Sequence, residues 1–299
     1  MRVDPNYVSG LVTSLNANTL SEQKLTGELS SGLRVSSLAD DPVAAGEASL
    51  LGSAISQDDS FVQTVASTQS LMQVTGSALS SVVTQLTSAL SLAVAGNSGS
   101  NNAADLSSIS EQLASVRDQV VSLANTSYQG TYIFAGSQGS TQPYTVNAST
   151  SPATTTYNGD AQVGSVTTEN GQQIQTGVAG SAVFSAPGAD VMAALNNLVA
   201  DFSTGTVSST ASMDVGALSA ALGNVSQQQA VLGSSLGRLE SATTYAQTDA
   251  VNRTAAASAL VAADPATVAT QLSAAEVQNQ ALMSVISTVE KQSLFTYVQ

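Results

Sequence analysis

Apolar residues recur along this chain at alternating spacings of four and three. Near the N-terminus Leu11, Leu15, Leu25 and Leu29 keep that spacing, interrupted by Asn18 and Glu22. A longer series runs from Leu51 through Ile55, Val65, Met72, Leu79 and Leu86 to Leu90, with Asp58 on the same stripe, and a third from Leu106 to Leu123. This is the period of helices that pack in coiled-coil fashion. Asp41-Pro42 reads as an N-cap followed by proline at the first helical position. A helix from there to about Val94 is about 80 Å long at 1.5 Å per residue.

The pattern changes at Gly130. Residues 131–186 are rich in Thr, Val, Tyr and Gly and punctuated by Pro143 and Pro152, which excludes a continuous helix. Tyr157-Asn158-Gly159-Asp160 and Glu169-Asn170-Gly171 read as turns between short strands. A short helix then carries Val191, Leu195, Leu198 and Phe202. The 4-3 series resumes from Leu218 to Leu260. Asp264-Pro265 repeats the cap-plus-proline start, and the last helix carries Val268, Leu272, Ala275, Asn279, Leu282, Ile286 and Val289.

The expected fold is mainly α: an elongated antiparallel coiled-coil helical bundle formed by both chain ends, with a small β-rich inserted outer domain. Three parts are expected: a terminal helical layer of residues 1–40 and 262–299, a helical rod of 41–130 and 187–261, and a β-rich insert of 131–186. Leu11, Leu15, Leu25 and Leu29 on one arm, and Leu272, Leu282, Ile286 and Val289 on the other, form stripes that need cover. They are the candidate assembly interface. Arg253 falls on a seam, where a guanidinium needs a carboxylate. If the helices starting near Val43 and ending near Leu260 lie level, Glu47 is the nearest acid, with Asp58 about two turns off, and an Arg253–Glu47 ion pair is expected, within one chain or between neighbouring copies.

Composition narrows the chemistry. Among 299 residues there are 7 Lys plus Arg and 21 Asp plus Glu, a formal net charge of -14. Neither nucleic acid nor an anionic membrane suits such a surface. Only 9% of residues are charged, and none lies between Ser60 and Ala104. Leu71 to Ala95 is broken by too many Ser, Thr and Gln residues to read as a membrane span. Without Cys or His, disulfides, Cys/His zinc sites and His general bases are excluded. Asp41 reads as a cap with Asp40 solvated rather than as a metal pair. Asp58 and Asp59 point about 100° apart on a helix and cannot form a carboxylate dyad; a solvated face or an intersubunit contact is the expectation. Tyr132-Ile133-Phe134 reads as a core strand rather than a ligand platform. No catalytic residue, metal ligand or cofactor site is expected, and the chain is not read as an enzyme.

Five words in order carry a family resemblance. Leu29-Ser30-Ser31-Gly32-Leu33-Arg34-Val35 with Ala39-Asp40-Asp41-Pro42 resembles the N-terminal motif of flagellins and their junction-protein relatives. Gly130-Thr131-Tyr132-Ile133-Phe134-Ala135-Gly136-Ser137 and the later Tyr157-Asn158-Gly159-Asp160 are similar to words in the outer domain of the hook-associated protein 3 family. Gln229 to Glu240 resembles the C-terminal helix of both families, and Gln292 to Val298 the junction-protein terminus. Ser88, Leu90 and Ser91 stand where receptor-recognised flagellins carry Arg and Glu. The resemblance implies a structural part joining hook to filament in the bacterial flagellum. Its implied partners are copies of itself in a ring or helical layer, a sister hook-associated junction protein, flagellin and a flagellar export chaperone. It also implies an extracellular place, reached through the flagellar secretion apparatus without a cleaved signal peptide. The alternatives are flagellin itself and a secreted binding module.

Overall fold

The computed structural model describes residues 5–297. Helices α1 (Pro5–Ser31), α2 (Pro42–Gly96) and α3 (Ala103–Ala124) come first. Four antiparallel strand pairs follow among the described residues: β1–β2 (Ser127–Tyr128, Thr131–Tyr132), β3–β4 (Tyr144–Asn147, Thr154–Tyr157), β5–β6 (Ser165–Thr167, Gln173–Gln175) and β7–β8 (Ser185–Ala186, Ala189–Asp190). Helix α4 (Gly180–Phe184) precedes β7, and α5 (Val191–Ser203), α6 (Ala211–Val261) and α7 (Pro265–Tyr297) complete the chain. The fold is mainly helical, as the 4-3 spacing predicts.

The helix starts are those that capping chemistry dictates. Asp41 Oδ1 accepts from the Ala44 amide at 3.1 Å and opens α2. Asn102 and Asp105 form a reciprocal capping box on α3, and Asp190 caps α5 through the Ala193 amide. At the end of α2 the Asn101 amide donates to the carbonyls of Ala95 and Gly96, at 2.7 and 3.1 Å. Carbonyls of a last turn have no amide four residues on within the helix, and these bonds help to satisfy them. Gly96 has no room for a side chain: a Cβ there would lie 2.9 Å from the Phe202 ring.

The chain divides into two compact units. One runs to Asp58 and resumes at Thr248; the other is Asp59–Gln247. The core of the second gathers Met72, Leu79 and Leu86 of α2, Leu113 and Val120 of α3, Leu195, Leu198 and Phe202 of α5, and Leu218, Val225 and Leu232 of α6. Within it, the middle turns of α2 and of α6 face each other around Met72, Gly76, Leu232 and Leu236. Helix α2 is long and apolar enough to cross a membrane by length and composition. Here its stripe from Val65 to Ala93 is buried in this protein core.

On the exposed side of α2 the hydroxyls turn inward on their own helix. Thr64, Thr68, Ser77, Ser81, Thr84, Thr87 and Ser88 each donate to the carbonyl four residues back, at 2.7–3.1 Å.

The hairpins are separate two-stranded pairs, not one sheet. Gln129 and Gly130 both have positive φ, 52° and 81°, which makes the β1–β2 connection the primed type of two-residue turn that matches strand twist. Phe134 is fully buried, as expected for core, but it lies in the turn after β2. Its ring meets Phe184 edge-on at 5.2 Å, and Tyr144 packs between Phe184 (5.5 Å) and Tyr157 (5.0 Å). The Tyr157 hydroxyl shares its one hydrogen between the Phe134 and Asp160 carbonyls, at 2.9 and 2.7 Å. Asp160 in turn accepts from the Ser137 amide (2.8 Å), the Ser137 hydroxyl and the Gln162 amide (3.0 Å). The Ser137 bonds hold its carboxyl below the usual range. Gly136, at φ +69°, is needed there: a Cβ would fall 2.1 Å from Asp160 Oδ1. The words that hold Ser137 and Asp160, residues 23 apart, are thus two halves of one knot.

Where α5 gives way to α6, two acids meet. Thr210 donates to Asp201 Oδ1 at 2.9 Å and Asn197 to Asp214 Oδ1 at 3.0 Å. Asp201 Oδ2 is buried without a donor. Burial, reinforced by the neighbouring Asp201 carboxyl and opposed by the Asn197 amide, pushes the Asp214 carboxyl above its ordinary range.

Candidate assembly interface

Helices α1 and α7 pair along their length. Leu25, Val268 and Ala275 are buried between them, with Leu272 and Ala263 packed against that cluster. Of the other candidate interface residues, Leu11, Leu15, Leu282, Ile286 and Val289 are half-buried. Leu29 remains 44% exposed. The pair also leaves Tyr7, Val12, Leu20, Val277, Met283 and Val285 open, with Leu20 and Val277 each 66% exposed. Two helices cannot cover all of each other's apolar surface.

The polar interruptions meet each other. The Asn18 amide nitrogen donates to the Ala275 carbonyl at 2.8 Å and lies 3.4 Å from Glu22 Oε1. The Asn279 amide donates to both Glu22 oxygens at 3.0 Å. Sequence spacing marks these residues as breaks in a stripe; that they match across it depends on the register of two segments 257 residues apart.

The segment after α1 is a corner. Gly32 (φ +71°) ends the helix, and Leu33 bridges to Ala262 in antiparallel fashion. The Arg34 and Ala263 amides donate to the Val261 and Gly32 carbonyls at 2.8 and 2.9 Å. The Arg34 guanidinium donates to the Leu260 carbonyl (3.0 Å), at the end of α6, and to Asp41 (3.2 Å), the cap of α2. A cation at a helix C-terminus and an anion at an N-terminus are both favourable. Asp40 accepts from the amides and hydroxyls of Ser36 and Ser37, led by the Ser37 hydroxyl, which brings its carboxyl down to about 2. Asp264 caps α7 through Ala266 (3.1 Å) and Thr267 (2.6 Å). The Leu29-to-Pro42 word is therefore the local chemistry of one double turn.

Arg253 does not pair with Glu47, which is exposed. Its guanidinium donates to both oxygens of Asp58, at 3.1 and 2.9 Å, and also pairs with Asp249 one turn away. Asp58 lies about three turns beyond Glu47 on α2; α6 does not end level with the start of α2, which shifts the carboxylate that comes opposite. Asp58 is consequently neither a solvated face nor open to a neighbour: its side chain is 1% exposed.

Comparison with known proteins gives the family. Residues 7–139 match the bacterial flagellin N-terminal helical region, and residues 215–298 the bacterial flagellin C-terminal helical region. The chain is 29% identical over 267 residues to flagellar hook-associated protein 3 of Escherichia coli K12, covering 83% of this chain and 84% of that one. It is 33% identical over 122 residues to the Salmonella typhimurium protein of the same name, covering 40% and 38%. In fold it is similar to a flagellar hook-associated protein of Vibrio parahaemolyticus (TM-score 0.63, 23% identity, 74% of this chain and 99% of that one). It is also similar to hook-associated protein 3 of Legionella pneumophila (TM-score 0.64, 14% identity, 71% and 98%). With both helical ends matched and the Escherichia coli and Salmonella relatives both hook-associated protein 3, the chain belongs to the bacterial flagellin family, in its hook-associated protein 3 branch.

Proposed function

We propose that this chain is a structural adaptor between the flagellar hook and the filament, acting by shape and helix complementarity rather than by chemistry. The observation that carries the reading is the likeness to hook-associated protein 3 of Escherichia coli across most of both chains. The α1–α7 pair supports it, because its uncovered apolar residues suit burial by copies of the same chain in a ring or helical layer. In this reading Leu11, Leu15, Leu25, Leu29, Leu272, Leu282, Ile286 and Val289 belong to the polymerising layer. The hairpin region 131–186 is the outward part. A sister junction protein lies on the hook side, flagellin on the distal side, and an export chaperone holds the chain before secretion through the flagellar apparatus to the cell exterior. Electron microscopy of a deletion strain tests it. Hooks should persist while filaments detach and flagellin appears in the medium, and the gene in trans should reverse this. Intact filaments in the deletion strain would refute the reading, and long filaments grown from the purified chain alone would reassign it as flagellin.

A further inference from the structure

The α1–α7 seam is mostly apolar, and apolar stripes are poor at choosing a register. Asn18 is level with Asn279, and Leu25 with Leu272, in the pairing observed. Slid by one heptad in either direction, the same stripes still meet and bury similar area. The polar positions do not survive the slip. Glu22 would come level with Leu282 or Val268, and Asn279 with Leu25 or Leu11. A half-buried carboxylate would then face apolar groups with no donor from the opposite helix, a costly arrangement.

We propose that Asn18, Glu22 and Asn279 are specificity-determining residues that lock α1 and α7 in one antiparallel register. This rests on the adaptor reading for its purpose, since in a layer the apolar stripes of many copies compete. The corner at Gly32–Arg34 fixes where the two helices of one chain depart. It has no hold on α1 meeting a neighbouring copy's α7, where the polar layer alone distinguishes the register. Three features make the lock. The Glu22 carboxylate takes the Asn279 amide on both oxygens. Asn18 adds a cross-helix bond to a main-chain carbonyl. Ala275, small and buried, leaves the space in which Asn18 reaches α7.

The chain has no native cysteine, so introduced pairs report register cleanly. With full-length chains mixed at concentrations that assemble, Leu15→Cys in one copy with Leu282→Cys in another reads the observed register between copies, and Leu15→Cys with Val289→Cys reads it slipped by a heptad. The first pair should cross-link and the second should not. With Asn18, Glu22 and Asn279 all replaced by Leu, helicity should be kept while the ratio of the two products falls about tenfold or more. An unchanged ratio overturns the lock. A charge swap guards against a variant that merely misfolds. Asn279→Asp alone should suppress the in-register product by opposing two carboxylates, and adding Glu22→Gln should restore it; absence of rescue also overturns the proposal. These yields are read on the purified chain by mass, so they stand whether or not the deletion strain sheds its filaments.

Discussion

The Asp58–Arg253 pair is asymmetric, and the asymmetry makes a quantitative prediction. The Asp58 side chain is 1% exposed, whereas that of Arg253 is 28% exposed and also touches Asp249. Arg253→Met leaves Asp58 as a buried carboxylate without its cation, and removing one partner from a buried pair costs about 3–5 kcal/mol. Asp58→Leu leaves a guanidinium that still reaches water and keeps Asp249, so its cost falls to about 1–2 kcal/mol after discounting for exposure. The difference, about 2 kcal/mol, is a factor of about 30 in the folding equilibrium. The double variant should recover most of the loss, because apolar replacement of both partners removes the desolvation penalty with the attraction. Urea unfolding of the full chain, followed by far-ultraviolet circular dichroism, measures all three, and the order should survive high salt because a buried pair is weakly screened. Arg253→Met costing no more than Asp58→Leu would refute this reasoning.

Gly96→Ala should destabilise the second unit by about 1–3 kcal/mol through its clash with Phe202, and Phe202→Leu in the same chain should relieve it in thermal melts. Phe184→Ala, which empties the centre of the aromatic cluster, should cost about 3–5 kcal/mol, lowering the urea midpoint. The corner should loosen in acid: hydrogen bonds from neighbouring hydroxyls and amides hold the Asp40, Asp41 and Asp264 carboxyls below the ordinary carboxylate range. Their contribution is full above the ordinary carboxylate range and is lost as pH falls through the folded values, which for Asp40 is about 2; hydrogen exchange of residues 32–45 would follow it. Asp214 has the opposite sign, its raised pKa making its contribution largest in acid and lost as pH rises through the folded value. Asp214→Asn should therefore raise the melting temperature at neutral pH and flatten its pH dependence. Residues 5–33 and 266–291 should exchange faster than the core of α2 and α6 in dilute chain and slow on assembly; equal, strong protection when dilute would show that the ends need no neighbours.

The helices were legible because their signals are local. Asp41-Pro42 and Asp264-Pro265 announce starts, and the 4-3 stripes run uninterrupted by glycine-rich turns. The hairpin region could be recognised by its turn residues, but its partners could not. That Ser137 and Tyr157 close on Asp160 depends on the path of the intervening chain. Arg253 shows the same boundary. Its need for a carboxylate follows from the heptad position, while the choice of Asp58 over Glu47 follows from how far α6 extends along α2, which no local pattern carries. Asn18, Glu22 and Asn279 were visible only as interruptions until the register set them together. Asp201 and Asp214 sit at the helix ends that flank a short connection, off the apolar stripes that periodicity marks.

The hydroxyls along α2 have a consequence of another kind. Their hydrogens are already given to the carbonyls behind them, so the outer face of that helix offers water methyl and methylene groups and few donors, and from Ser60 to Ala104 it carries no ionic charge. Dissolved ions find nothing there to neutralise, and that flank should present the same skin in fresh water and in brine.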